Sequence, residues 1–196
     1  MIKDWTGNST TTFSILGASS HSKQVREVDD YYATDPKAVQ ELLDREKFCN
    51  NIWEPACGEG HISKVLESNG YNVKSSDKVD RGYGEIINFL EVTDSNLDCD
   101  IITNPPYKYA LDFVNKSLDV IYTGHRVAMF LKIQFLEGKN RHKYFKINPP
   151  QFVYVFSYRV NCGLNGNFNS SNSSAVCYAW FIWEKGFRGE PIIRWI

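Results

Sequence analysis

The feature that most constrains this chain is an alternation running from residue 50 to residue 133, in which short apolar runs are separated by longer runs of helical spacing. NNIWEPA, YNVKSSD, LDCDIIT and RVAMFLKI read as strands, with GEIINFLE as a further short element. Between them, HISKVLESNGY reads as a helix ended by Gly70. YKYALDFVNKSLDVI reads as another, with Ala110, Leu111, Val114, Leu118 and Ile121 facing one way. A helix that returns the chain across a sheet makes successive strands parallel and covers the sheet's faces. The expectation is an α/β fold, doubly wound on a mostly parallel sheet.

Both ends of this region differ from its middle. Upstream, DDYYATDPKAVQELLDREKF carries a helix start: Thr34 or Asp35 as cap, Pro36 at the first position, and Val39, Leu42 and Leu43 as the apolar stripe. Residues 1–30 are read as an irregular lead-in, because Thr6 to Ser22 are rich in Ser, Thr, Gly and Asn without a period. Downstream, a short helix is expected over Gln134 to Gly138, followed by a basic segment. QFVYVFSYRV and AVCYAWFIWEK read as two long strands, an antiparallel pair closing one edge and bringing the sheet to seven strands. The NCGLNGNFNSSNSS between them is too long for a tight turn and too polar for core. Residues 31–196 therefore read as one domain, of a size that can bury its own core.

Composition excludes several classes. The 22 basic and 23 acidic residues nearly cancel, so the chain is not coated in positive charge. Charge is nevertheless local: GKNRHKYFK holds Lys139, Arg141, Lys143 and Lys146 with no acidic residue and with aromatics interleaved. That segment reads either as a solvated face or as a phosphate-contacting, base-stacking surface. The five cysteines are odd in number with no CxxC pair, and the four histidines lack ligand spacing, so no disulfide framework and no metal are expected. No apolar run reaches the length of a membrane span, and MIKDW is followed by no apolar core. A cytoplasmic protein without a secretory leader is expected.

Three stretches carry chemistry. In WEPACGEGHIS a strand ends at Glu54, and Gly58 and Gly60 allow a ligand to approach the backbone closely. Ala56 stands where a dinucleotide fingerprint needs glycine, and no Lys-Ser/Thr follows. Glu54 and Glu59 would repel a pyrophosphate, so the loop suits a ligand with a cationic part and no phosphates. In SSDKVDRGYG, Asp77 closes the second strand 17 residues after Gly60 and can accept both hydroxyls of a ribose, with Asp80 as the alternative. In TNPPY, Pro105 denies Asn104 helical geometry, and two prolines stiffen the backbone before Tyr107. An amide oxygen beside a carbonyl can receive both hydrogens of an –NH2 group, while a ring stacks on a planar substrate.

In these stretches the chain resembles the S-adenosylmethionine-dependent amino methyltransferases, most closely the compact adenine-N6 DNA methyltransferases of phages and prophages. NPPY matches that family's catalytic motif and EPACGEG its cofactor loop, while INFLE is similar to the segment flanking the cofactor adenine. YYATDP resembles the segment that closes over the cofactor's methionine end, so the likeness covers roughly residues 30–135 in one linear order. The resemblance implies a Rossmann-like class I methyltransferase fold, S-adenosyl-L-methionine as cofactor, and DNA, or RNA, as partner. Tyr32, Thr34, Pro36, Glu54, Ala56, Gly58 and Gly60 would then surround the methionine end. Asp77 would hold the ribose, and Asn88 and Phe89 would meet the adenine. Asn104, Pro105 and Pro106 would orient the target amine and Tyr107 would stack on the base.

Asn88 departs from the family, which usually has aspartate there, and weaker cofactor binding is the expected result. Residues 134–150 and 161–174 are the expected substrate-side loops, with Lys139, Arg141, Lys143 and Lys146 on phosphates. Tyr144, Phe145 or Phe152 would clamp the base's second face. A monomer or homodimer is expected, with an accessory specificity partner in prospect. The same NPPY chemistry also serves RNA adenines and protein glutamine amides. An inactive nucleic-acid-binding subunit is the contrasting reading.

Overall fold

The computed structural model describes residues 32–160, 163–164 and 176–196. The expected lead-in, residues 1–30, lies outside them, as does most of the 161–174 loop. The strands are β1 (Tyr32–Ala33), β2 (Asn51–Glu54), β3 (Asn72–Asp77), β4 (Glu85–Ile86), β5 (Asp100–Thr103), β6 (Arg126–Lys132), β7 (Phe152–Val155), β8 (Gly163–Leu164), β9 (Tyr178–Glu184) and β10 (Ile192–Trp195). The helices are α1 (Pro36–Leu43), α2 (His61–Ser68), α3 (Ala110–Val120) and α4 (Lys139–Phe145).

Eight strands form one sheet in the order β10-β7-β9-β6-β5-β2-β3-β4, and β1 pairs separately with β8. Only β9 runs against its neighbours, antiparallel to both β6 and β7. The seven expected strands are all present. The eighth, β10, was not foreseen: IIRW is short and follows Pro191, yet it pairs in parallel outside β7, from Ile192 opposite Phe152 to Trp195 opposite Val155.

The period of two along each strand sorts the core into two layers. Ile52, Ile102, Ala128, Phe130, Trp180 and Ile182 pack with Ala38, Val39 and Leu42 of α1 and Ile62 and Leu66 of α2. Their neighbours Trp53, Ile101, Val127, Met129, Phe181 and Trp183 pack with Phe113, Val114 and Val120 of α3. Each large side chain buried in this way contributes about 1.5–3 kcal/mol. An exposed ion pair such as Lys37–Glu41, at 3.7 Å, contributes at most about 1 kcal/mol. The apolar layers therefore hold the sheet.

Three expectations change in detail. The buried face of α3 is Ala110, Phe113, Val114, Ser117 and Val120, with Leu111 and Leu118 only half-buried. The face turns because Phe113 packs on Phe89, centroids 5.2 Å apart. QFVYVFSYRV is a strand over only four residues, since Ser157 N–H bonds the Ile196 carbonyl at 2.9 Å and the chain turns across the end of β10. The basic segment is a helix, α4, preceded by a 3-10 turn over Ile133–Leu136.

Candidate active site

The chain runs from β2 outward through β3 to β4, then returns to the other side of β2 as β5. The sheet's topological switch point therefore lies between β2 and β5, where ligands bind outside the carboxyl ends of open α/β sheets. All three chemistry-bearing stretches end strands on this rim: Glu54 on β2, Asp77 on β3 and Asn104 after β5.

Two hydrogen bonds tie these stretches to their surroundings. Gly58 N–H donates to Asp77 Oδ2 at 2.9 Å, tying the glycine loop to the second strand. Asn104 Nδ2 donates to Thr34 Oγ1 at 3.0 Å across 70 residues of sequence, bringing the YYATDP segment onto the NPPY turn. Asp35 rather than Thr34 caps α1, accepting from Lys37 N–H at 2.9 Å with Pro36 behind it. Thr34, 2% exposed, is thus available to orient Asn104. With the amide nitrogen directed at Thr34, the oxygen, the amide's acceptor, is the end turned away from it.

Glu54 is 1% exposed, and burial raises its carboxyl well above the usual range. Its Oε2 accepts Ser63 N–H at 2.7 Å and also the Ser63 hydroxyl. The reason is local: the N-cap of α2 is Gly60, which has no side chain to cap it, and Glu54 supplies the missing acceptor from the neighbouring strand. Gly60 itself has φ +79°, and a Cβ there would stand 2.5 Å from the Tyr83 ring, whose hydroxyl bonds Glu67 at 3.0 Å. The close approach that Gly60 allows is to Tyr83, a residue the sequence did not mark. The Cys57 thiol is pushed up to about 12 by burial and then by the charges of Glu54 and Asp77, so it is no nucleophile at neutral pH.

The remaining assignments divide. Asp77 Oδ1 also accepts Val79 N–H at 2.9 Å, and a carboxylate's further lone pairs can still take a ribose hydroxyl. Phe89 is 1% exposed, edge-on to Trp53 with centroids 5.1 Å apart, so it is part of the wall beneath the site. Asn88 beside it is half-buried, as are Ala56 and Pro106; Pro105 is buried and Pro36 exposed. The backbone of Tyr32 pairs with that of Leu164.

Around Tyr107 the ring neighbours are Tyr178, at 6.2 Å between centroids, and the Lys132 ammonium, 4.6 Å from the centroid. Tyr178 opposes Lys132 across the β6–β9 ladder and is the aromatic that sequence reasoning missed. The expected clamps are placed elsewhere. Phe152 lies on β7 under Arg194 at 4.3 Å, and Phe145 packs on Phe135 at 5.9 Å. Tyr144, its hydroxyl pushed up to about 12 by burial, lines a cleft of about 280 Å³ with Asn148 and Trp183.

Lys139 and Lys143 on α4, and Lys146 just after it, are exposed. Arg141 is not: its guanidinium lies 5.2 Å from the Phe135 ring centre and donates to the Gln134 carbonyl at 3.3 Å. No helix among the described residues is long and apolar enough to cross a membrane.

No protein-family model matches the chain, and no curated protein matches it in sequence. Solved structures do match in shape. A Pyrococcus horikoshii protein described as an RNA methyltransferase superposes with a TM-score of 0.60 at 12% identity, over 90% of this chain and 98% of that one. A Listeria monocytogenes protein described as a class I S-adenosylmethionine-dependent methyltransferase gives 0.58 at 12% identity, over 95% and 71%. The methyltransferase subunit of a type I restriction-modification system from Streptococcus thermophilus gives 0.58 at 12% identity, and there 82% of this chain covers 46% of that one. The fold is that of the class I methyltransferases. Within it, β9 is the strand that runs antiparallel, and β10 lengthens the sheet beyond it.

Proposed function

We propose that this protein transfers a methyl group from S-adenosylmethionine to the N6 amino group of adenine in DNA. The observation that carries the reading is the Asn104 amide, oriented by Thr34 on the rim of the switch point, with Pro105 buried behind it and Tyr107 beside it. The fit to the cofactor rests on the Asp77 carboxylate, tied to the glycine loop through Gly58, with the buried Glu54 carboxyl beside that loop. A carboxylate there favours a cation and disfavours phosphates. Glu54, Gly58, Gly60 and Asp77 would hold the cofactor, with Thr34 and Asn88 at its edges. Bound there, the cofactor supplies a methyl already activated by its sulfonium.

The chain's own work is then positioning. Asn104 Oδ1 and the Pro105 carbonyl receive the two amine hydrogens, drawing the nitrogen lone pair out of conjugation. Both bonds strengthen as positive charge develops on nitrogen, so they lower the barrier rather than merely bind. Tyr107 recovers part of the few kcal/mol needed to unstack the base. The exposed Lys139, Lys143 and Lys146 would meet phosphates, and the resemblance of NPPY to the adenine-N6 enzymes selects the base. The neighbour described as an RNA methyltransferase makes RNA the competing substrate.

The test offers S-adenosylmethionine with a labelled methyl to unmethylated DNA, total RNA and a protein extract in parallel, then identifies the modified unit by mass. The expected product is N6-methyladenine in DNA, reduced about 10²–10³-fold by Asn104→Ala. Label in RNA or on glutamine keeps the chemistry and replaces the substrate. Cofactor binding without label in any acceptor rejects the enzyme reading in favour of an inactive subunit.

A further inference from the structure

At the opposite end of the sheet from the methyl-transfer site, the amino ends of three strands place a thiol, a carboxylate and an imidazole together. Cys49 precedes β2, Asp100 begins β5 and His125 precedes β6. Their ligand atoms all lie within 4.8 Å of one another, with His125 Nδ1 already 2.9 Å from Asp100 Oδ1. Donors sharing one tetrahedral zinc stand roughly 3.2–3.8 Å apart, given metal–ligand bonds of about 2.0–2.3 Å. The cluster is therefore within a small side-chain adjustment of that geometry.

A further feature points to a metal rather than to packing alone. The other ring nitrogen of His125, Nε2, is 3.0 Å from Asp98 Oδ1. A carboxylate on the far nitrogen fixes the imidazole with its near nitrogen directed at the metal, the arrangement that ligating histidines generally have. The Cys49 sulfur accepts the Asp100 backbone N–H at 3.1 Å, and its thiol proton, the one a metal would displace, is directed at the Asn51 carbonyl 2.9 Å away. The Asp100 carboxylate is braced too, by Cys49 N–H at 2.7 Å and Arg126 N–H at 2.8 Å. These backbone bonds can persist when a lone pair turns to a metal.

We infer that Cys49, Asp100 and His125 form a divalent transition-metal site of zinc type, with Asp98 orienting the histidine and solvent in the fourth position. Sulfur, nitrogen and one carboxylate oxygen suit zinc and exclude magnesium or calcium, which take oxygen ligands. On binding, the Cys49 thiol releases its proton to solvent. The metal would tie together the amino ends of β2, β5 and β6 and take no part in methyl transfer at the other rim. The inference stands apart from the proposed activity.

The experiment titrates the full chain, reduced and stripped with chelator, with Co(II) as a spectroscopic probe and then displaces it with Zn(II). The expected result is one equivalent bound with a thiolate-to-cobalt charge-transfer band, and a rise in melting temperature with zinc. The band should vanish in Cys49→Ala and in His125→Gln. Asp98→Asn leaves all three ligands in place and should weaken affinity about 10–100-fold without unfolding the protein. The inference is overturned by the absence of a charge-transfer band, or by a band of equal strength in Cys49→Ala. It also fails if Asp98→Asn binds with unchanged affinity. The cluster would then be a hydrogen-bonded clamp.

Discussion

Thr34 and Glu54 show how the role of a single residue depends on what it faces. Both were expected at the methionine end of the cofactor; one orients the Asn104 amide and the other caps α2. Thr34→Val keeps the shape and removes the acceptor. The expected outcome is a kcat lower by about tenfold, with the cofactor Kd nearly unchanged, because only the orientation of Asn104 is loosened. Steady-state kinetics beside direct cofactor titration checks it. For Glu54 the sign follows from burial. An unfolded glutamate titrates near about 4.3, and in the fold the value is raised. Folding therefore favours the protonated form, whose contribution is complete below about pH 4.3 and is lost as pH rises through the raised value. Glu54→Gln makes the neutral form permanent and keeps an acceptor for Ser63. Without cofactor, its melting temperature should match or exceed the parent's at neutral and alkaline pH and converge with it in acid. Its affinity for S-adenosylmethionine should fall about tenfold, roughly 1.4 kcal/mol, as calorimetry would read.

Among the elements, α4 has two sides with different duties, although its basic residues look alike in sequence. Lys139 and Lys143 project into solvent, whereas Arg141 covers the Phe135 ring and bonds Gln134. Lys143→Ala should weaken binding to DNA uniformly across sequences and reduce the salt slope of log K by about 0.9, one phosphate contact's worth. Arg141→Ala should instead lower stability by about 1 kcal/mol through lost packing, with a smaller change in salt slope. Fluorescence anisotropy over a salt series, paired with thermal melts, separates the two. The helix itself could be anticipated only poorly. KNRHKYF has no apolar stripe, and α4 holds its place through Phe145 against Phe135, two residues whose proximity depends on the preceding 3-10 turn.

For the whole molecule, one buried carboxylate links elements far apart in the chain. Glu46 follows α1, is 8% exposed, and accepts Arg126 of β6 at 2.7 Å and the Tyr154 hydroxyl of β7. The Tyr154 hydroxyl in turn accepts Arg194 of β10 at 2.9 Å. Glu46→Ala would leave Arg126 half-buried without its counter-charge, at a cost of about 3 kcal/mol. The urea midpoint should fall with an unchanged slope, and the folded fraction should keep its methyl-transfer kcat, since the network is remote from Asn104.

The sequence by itself determined the alternation of strands and helices, hence the parallel sheet, because side-chain period and turn chemistry act over a few residues. It also marked Glu54, Asp77 and Asn104, because each ends a strand and the carboxyl rim collects such ends. Tertiary structure decided what no local pattern encodes. It paired IIRW outside β7, set Tyr178 rather than Phe152 beside Tyr107, and joined Thr34 to Asn104 across 70 residues. It also gathered Cys49, Asp100 and His125, whose spacing along the chain matches no ligand motif. A sheet aligns strand ends regardless of how much chain separates them. Residues distant in sequence become partners only once the strand order is set.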